Sequence, residues 1–314
     1  MSTNREVDKI FNDGERMVPF LSHNEDELIR HYSSHNFFRN IIKEDITMLG
    51  QKDVSILDVG FGTGYACFLY SKMDSVSRIQ GIDVSQESLD WALDNFNDKK
   101  INYKLQDAVK FLAKKDKYDY IVTRHVLEHI DDGLNIIKEN KYNNRLCINV
   151  PYDEGEGNEF HILKGIKESS FPSYDNVEFF YEDLSGNTYY TKPNGVFINS
   201  IVYVASKKGM VKASEYFKFP YLAPKIEDIF TDLTENNDKF IKSIIEIQSQ
   251  RLKIAQDEQN SLEAKYSELE SQMNREINRL KNEISNIYNS KRWQLATKAA
   301  DVKNTVFKRK HEKL

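Results

Sequence analysis

Ile56-Leu57-Asp58-Val59-Gly60-Phe61-Gly62-Thr63-Gly64 is the stretch that decides the fold: an apolar run carrying one carboxylate that passes directly into alternating glycines. A continuous run of branched apolar residues is what a strand covered on both faces looks like. Glycines directly behind it permit backbone angles closed to other residues and let a ligand approach the main chain. Residues 65–72 then read as helix, so the unit is strand, glycine loop, helix. A second run, residues 79–84, contains Gly81-Ile82-Asp83, with Asp83 19 residues past Gly64. An acidic side chain there can accept hydrogen bonds from both hydroxyls of a ribose.

Outward from this unit the pattern repeats. Further apolar runs at Ile101–Leu105, 118–123 and 145–150 alternate with helical stretches at 86–96, 108–114 and 132–139. That alternation predicts an α/β fold, a Rossmann-like, doubly wound, mostly parallel sheet. Two later runs, 177–181 and 196–205, fit a hairpin at the sheet edge, with turns at Ser185-Gly186-Asn187 and Pro193-Asn194-Gly195. The expected sheet is therefore seven-stranded.

The flanks differ in character. Residues 1–50 read as a helical lead-in that would cover the ligand, with Leu28, Ile29, Tyr32, Phe37, Phe38, Ile41 and Ile42 at helical spacing. The α/β domain is placed at 51–208 and a linker at 209–235. From Ile241 an apolar seam runs through Ile245, Leu252, Ala255, Leu262, Tyr266, Leu269 and Met273, with Gln248 and Gln259 at seam positions, and resumes as Ile277, Leu280, Ile284 and Ile287. The four-residue step from Met273 to Ile277 is a stutter, which locally unwinds a left-handed supercoil. No Pro or Gly follows Lys225. So narrow a stripe is buried only against another helix, and a coiled coil over 236–290 is expected to make the chain a homo-oligomer or to bind a partner protein. Residues 291–314 form a basic, amphipathic tail suited to an anionic membrane surface.

Composition excludes several classes. The net charge is -5, yet residues 290–314 hold eight lysines and arginines against two acids, so the body is acidic and is not a nucleic-acid-binding surface. No apolar run approaches the ~20 residues that span a bilayer, and residues 1–10 lack a secretion signal, which places the protein in the cytoplasm, with the tail able to reach the inner face of the membrane. Two cysteines, Cys67 and Cys147, each in an apolar segment, provide no disulfide framework or cysteine-rich zinc site.

Dinucleotide enzymes share the ribose acid, but their G-x-G-x-x-G loop holds a pyrophosphate. Here the spacing is G-x-G-x-G, the sixth position is Tyr65, and Asp58 sits ahead of the loop. A carboxylate disfavours pyrophosphate and favours S-adenosylmethionine, which carries a sulfonium and an ammonium and no phosphate. With this set on the page, residues 58–64 resemble the first motif of class I methyltransferases, Asp83 their ribose acid, and Gln106-Asp107-Ala108 their adenine-contacting segment. YDYIVTRHVLEHID, residues 118–131, is similar to the fourth-strand signature of the group that includes the ubiquinone-pathway O-methyltransferases. The resemblance implies S-adenosylmethionine as cofactor, held by Asp58, Gly60, Gly62, Gly64, Asp83, Val84, Asp107, Ala108 and Arg124.

A narrower resemblance lies at the ends of the chain. Gly14-Glu15-Arg16-Met17-Val18-Pro19 looks like the GER-x-x-P opening of methyltransferases from bacterial cell-surface polysaccharide clusters. Their following EH-x-x-RY corresponds to residues 27–32, which depart from it at Leu28 and His31. Asn149-Val150-Pro151 with Glu159-Phe160-His161 resembles the stretch bordering their acceptor pocket, Tyr152 standing where Asn is common, and residues 287–293 are similar to the end of coiled-coil segments on glycan-modifying enzymes. These likenesses imply O-methylation of a saccharide hydroxyl. A small-molecule acceptor such as a quinone or lipid precursor is the alternative, and a non-catalytic scaffold acting through the coiled coil is a third reading.

Methyl transfer is an in-line displacement in which positioning dominates and a base assists departure of the hydroxyl proton. His129 and then His161 are the candidate bases, with Arg16 and His125 contacting the acceptor. The assignment includes no metal, although His125, Glu128 and His129 at i, i+3 and i+4 form a metal-assisted variant.

Overall fold

The structure, a computed structural model, describes residues 7, 9–10, 16–21, 25–156, 158 and 160–311, the side chains beyond residue 303 excepted. Gly14, Glu15 and Glu159 of the motifs above lie outside the described residues.

Helix α1, Glu25–Leu49, opens with Glu25, Asp26 and Glu27, which favour the positive end of its dipole. It leads into eight strands: β1 Val54–Val59, β2 Val76–Asp83, β3 Ile101–Leu105, β4 Tyr118–Arg124, β5 Tyr142–Pro151, β6 Val177–Asp183, β7 Thr188–Tyr189 and β8 Ile198–Ser206. Helices α2 (Tyr65–Ser71), α3 (Gln86–Asn95) and α4 (Ala108–Leu112) separate the first four strands. The sheet order is β3-β2-β1-β4-β5-β8-β6-β7. Strands β1 to β5 pair in parallel, and β8 is antiparallel to both β5 and β6. The chain builds outward from β1 to β3 and then returns to set β4 beside β1, which creates the reversal of order where open α/β sheets bind ligands.

Alternation along the strands explains their burial on both faces. Val54 and Ile56 of β1 enter one apolar cluster with α1, α2 and α3, whereas Leu57 and Val59 enter another with α4 and the segments after β4 and β5. Asp58 shares the parity of Val54 and Ile56, so its side chain turns toward α2, where the Cys67 thiol donates to it over 3.2 Å.

Three expectations are corrected. The sheet has eight strands, not seven, because residues 188–189 pair with Tyr181 and Glu182 in a strand too short to show periodicity. The 177–181 and 196–205 runs do pair, but β8 inserts between β5 and β6 and is not an edge. Residues 132–139 form no α-helix, only the 3-10 turns Gly133–Asn135 and Glu139–Lys141. A Cβ at Gly133 would lie 2.0 Å from the Leu127 carbonyl oxygen, so this segment is pressed directly onto the turn after β4.

Helix α5, Ile226–Thr234, lies within the expected linker and buries Ile229 and Leu233 in the first cluster. Helix α6 runs continuously over Asp238–Asn289, and α7 over Lys291–His311. The chain divides into two units at Gln250, so the first turns of α6, with Phe240 and Ile247 buried, belong to the α/β unit. In the second unit, Leu262, Tyr266, Leu269, Met273, Ile277, Leu280, Ile284 and Ile287 are all exposed.

One buried ion pair ties α1 to the sheet. Arg145 of β5 donates Nε and a terminal nitrogen to the two oxygens of Asp45, each at 2.7 Å, and both side chains are fully buried. The Tyr216 hydroxyl donates to the same carboxylate over 2.7 Å. Removing one member strands the other charge: Asp45→Ala should cost about 3–5 kcal/mol, and Tyr216→Phe about 1 kcal/mol, read from urea midpoints at unchanged slope.

Candidate active site

The carboxyl ends of β1, β2 and β4 converge on a cleft of about 450 Å³. Its floor is the loop after β1. Gly60 has φ +78, its N–H donates to the Ile82 carbonyl at 2.8 Å, and a Cβ there would lie 2.1 Å from Val126 Cγ2. Gly62 also has positive φ, +55, but a Cβ would meet nothing. Its N–H donates to Asp83 Oδ2 over 2.9 Å, tying the loop to the end of β2. The other Asp83 oxygen accepts from the Val84 and Ser85 amides at 2.7 and 3.0 Å and from an Arg16 terminal nitrogen at 3.1 Å.

Gly60, Gly62, Asp83, Val84, Asp107, Ala108 and Arg124 all line this cleft, with His31 and His35 of α1 also on its wall. Asp107 additionally caps α4, accepting from the Lys110 amide at 2.9 Å. Two residues expected to touch the cofactor do not line the cleft, Asp58 and Gly64. Asp58 is turned onto Cys67 by strand parity, and burial pushes its carboxyl up to about 7. Arg16, expected to contact the acceptor, has its guanidinium on Asp83 in this cleft and does not line the second cavity described next.

That second cavity, of about 670 Å³, is walled by Glu27, Arg30, Tyr152, Asp153, Glu154, Asn158, His161 and Lys192 together with Val196, Phe197 and Ile198. His31, His125 and His129 line both spaces and form the partition between them. His125 occupies left-handed backbone, φ +49, a conformation that side chains disfavour and that clusters at functional sites. Its Nε2 bonds the Ser200 hydroxyl at 3.0 Å. Burial, reinforced by Arg124, holds its pKa well below the usual histidine range, so the ring is neutral.

His129 Nδ1 lies 2.8 Å from the Phe160 carbonyl oxygen. A carbonyl only accepts, so Nδ1 carries a proton, and in the neutral tautomer the lone pair is on Nε2. His161 packs edge-on against this ring, centroids 4.8 Å apart, with its Nδ1 on the Glu154 carboxylate and its Nε2 accepting from Asn158 at 3.3 Å.

Glu128, His129 and His161 bring one ligand atom each within 4.8 Å of one another. Neither Glu128 oxygen has a hydrogen-bond partner among the described residues, and burial pushes this carboxyl up to about 8. The donor set suits a divalent ion. It differs from the His125, Glu128, His129 grouping in that His161, from the segment after β5, stands in place of His125. Glu154 and Asn158 share the loop after β5 and Lys192 follows β7; sequence reasoning missed them because none belongs to a motif.

Residues 22–140 match the family model described as "Methyltransferase domain". This part of the chain resembles a methyltransferase domain. Over 111 residues it is 29% identical to the mitochondrial ubiquinone biosynthesis O-methyltransferase of Candida albicans, covering 32% of this chain and 34% of that protein. The ubiquinone biosynthesis O-methyltransferase of Coxiella burnetii is 29% identical over 99 residues, 31% of this chain and 40% of that protein. The match therefore spans well under half of these relatives. Among solved structures, an S-adenosylmethionine-dependent methyltransferase from Mesorhizobium loti aligns at 20% identity with a TM-score of 0.30, covering 32% of this chain and 48% of that one.

The domain's glycine loop makes a graded prediction. Gly62→Ala should cost only the left-handed backbone penalty, about 1–2 kcal/mol. Gly60→Ala adds the collision with Val126 and should cost about 1–3 kcal/mol more, measured side by side by urea unfolding.

Proposed function

We propose that this chain transfers a methyl group from S-adenosylmethionine to a hydroxyl of a saccharide in bacterial cell-surface glycan biosynthesis. The observation that carries the reading is the junction of a nucleoside-sized cleft with a larger polar cavity at a partition of three histidines. The cofactor, when bound, supplies an electrophilic methyl on a sulfonium. Asp83 would accept from its ribose hydroxyls, and residues 106–108 would hold its adenine. The acceptor hydroxyl enters from the second cavity, where its proton passes to Nε2 of His129, the residue shared by both spaces whose tautomer leaves that nitrogen basic. Neutral His125 and the Glu154-bound His161 complete the wall beside it.

A saccharide is favoured because the acceptor walls mix carboxylates, cations and amides with the exposed ring of Phe197, a combination suited to hydroxyl groups and sugar faces. The motifs at residues 14–19 and 287–293 support the same class. The second reading, a quinone or lipid precursor, draws on the two ubiquinone-pathway relatives and on the apolar edge at residues 196–198. No helix among the described residues is long and apolar enough to cross a membrane. In this reading the chain works in the cytoplasm, with α7 against the inner membrane face.

Incubating the chain with methyl-labelled S-adenosylmethionine and glycans from a strain lacking its gene should label a sugar, identified by mass spectrometry. Label found only in lipid or protein would overturn the acceptor assignment. His129→Gln should lower kcat by about 10²–10⁴-fold while leaving cofactor affinity, measured by calorimetry, unchanged.

The exposed seam of the second unit supports the coiled-coil reading, with α6 as one strand. Sedimentation should show an oligomer, and Leu269→Glu with Leu280→Glu should yield a monomer that keeps the thermal transition of the α/β unit.

A further inference from the structure

Two arginines are almost wholly buried at the sheet, and they are satisfied differently. Arg145 meets a carboxylate in two-pronged contact and has further acceptors in Ser206 and the Val211 carbonyl. Arg124, the last residue of β4, is 7% exposed and among the described residues has only neutral hydrogen-bond partners: Nε donates to the Ser34 hydroxyl at 3.1 Å and one terminal nitrogen to His31 Nδ1 at 2.8 Å. Its other terminal nitrogen has no acceptor among the described residues.

The carboxylate in its surroundings does not fill that role. Glu182 accepts from Ser34 at 2.6 Å and Asn149 at 3.2 Å, and burial pushes its carboxyl up to about 7 against the pull of Arg124. Burial, then Arg124, hold His31 well below the ordinary histidine range, which matches its part as a neutral acceptor. Glu128, the other carboxyl near Arg124, is likewise pushed up by burial, to about 8, and makes no hydrogen bond to it; burial also raises the Tyr65 phenol, and Arg30, His35 and His125 bring no negative charge. A guanidinium keeps its proton under such conditions, so its charge has to be met by an anion or remain costly.

The position of Arg124 indicates which anion. It lines the cofactor cleft and not the second cavity. Because β1 lies between β2 and β4, Arg124 and Asp83 stand on opposite sides of the glycine loop. The cleft's other cation, Arg16, is already held by Asp83. A nucleoside with its ribose over β2 directs its 5′ substituent across the loop toward β4. We propose that Arg124 binds the carboxylate at the amino-acid end of the cofactor. This rests on the cleft being the S-adenosylmethionine site.

Calorimetry on the full chain tests it with two ligands that share the thioether nucleoside. S-adenosylhomocysteine has the amino-acid end, and 5′-methylthioadenosine lacks it. Arg124→Gln should weaken S-adenosylhomocysteine by about 10- to 100-fold and leave methylthioadenosine within about threefold, as expected for loss of a charge-assisted contact. Arg124→Lys should fall between, keeping the charge and losing the fork. On the unsubstituted chain, decarboxylated S-adenosylmethionine should bind about 10-fold or more weaker than S-adenosylmethionine, a comparison independent of any effect of substitution on folding. Equal losses for both nucleosides in Arg124→Gln, no loss for either, or no discrimination against the decarboxylated cofactor would overturn the role of Arg124 alone. An unsubstituted chain that binds none of these ligands would remove the cofactor reading as well.

Discussion

Five parallel strands point their carboxyl ends at one edge of the sheet, and the candidate site depends on that edge. The constraint is covalent and steric before it is chemical. Strands β1, β2 and β4 end side by side, and the loop after β1 crosses between them only because glycine tolerates left-handed backbone there. One hydrogen bond, from the Gly62 amide to Asp83, then joins the loop to the neighbouring strand and sets that carboxylate in place. Without that bond, the loop and the carboxylate would both need other partners.

Burial governs the electrostatics of the same edge. Asp58, Glu128 and Glu182 are each removed from water, and each carboxyl is raised to about 7 or 8 mainly by that desolvation. His31, His35 and His125 are lowered for the same reason. The protein thus gathers many ionisable groups around the two cavities while leaving several of them close to neutral. Burial lowers the pKa of Arg124 as well, but from so high a value that the guanidinium keeps its charge.

Much of the fold was legible because strands buried on both faces are continuous apolar runs, and β1 and β3 begin and end where the pattern does. Helix α4 ends two residues earlier than its apolar pattern, and β2 begins three residues sooner, where a charged Arg78 interrupts the run. Periodicity had no hold on the two-residue β7 or on the tight turns after β4. The residues that line the first cleft could be named from sequence because they sit at strand ends in a fixed order. A motif gives sequence position without strand parity, and parity turns the Asp58 side chain to the α2 face. The second cavity was largely unreadable: Glu27, Glu154 and Lys192 meet only through topology, and nothing in their spacing records the meeting.

The contact between His129 and the Phe160 carbonyl has a consequence for timing. Residues 160–163 are pinned to the turn after β4 by the Ile162 and Leu163 amides, both donating to the Glu128 carbonyl, and the same short segment carries His161. The loop that borders the second cavity therefore also dictates which imidazole nitrogen carries the proton. Displacing it would release the ring's proton to either nitrogen and let the ring rotate, so under the proposed function admission of the acceptor and readiness of the base would be set by a single piece of backbone.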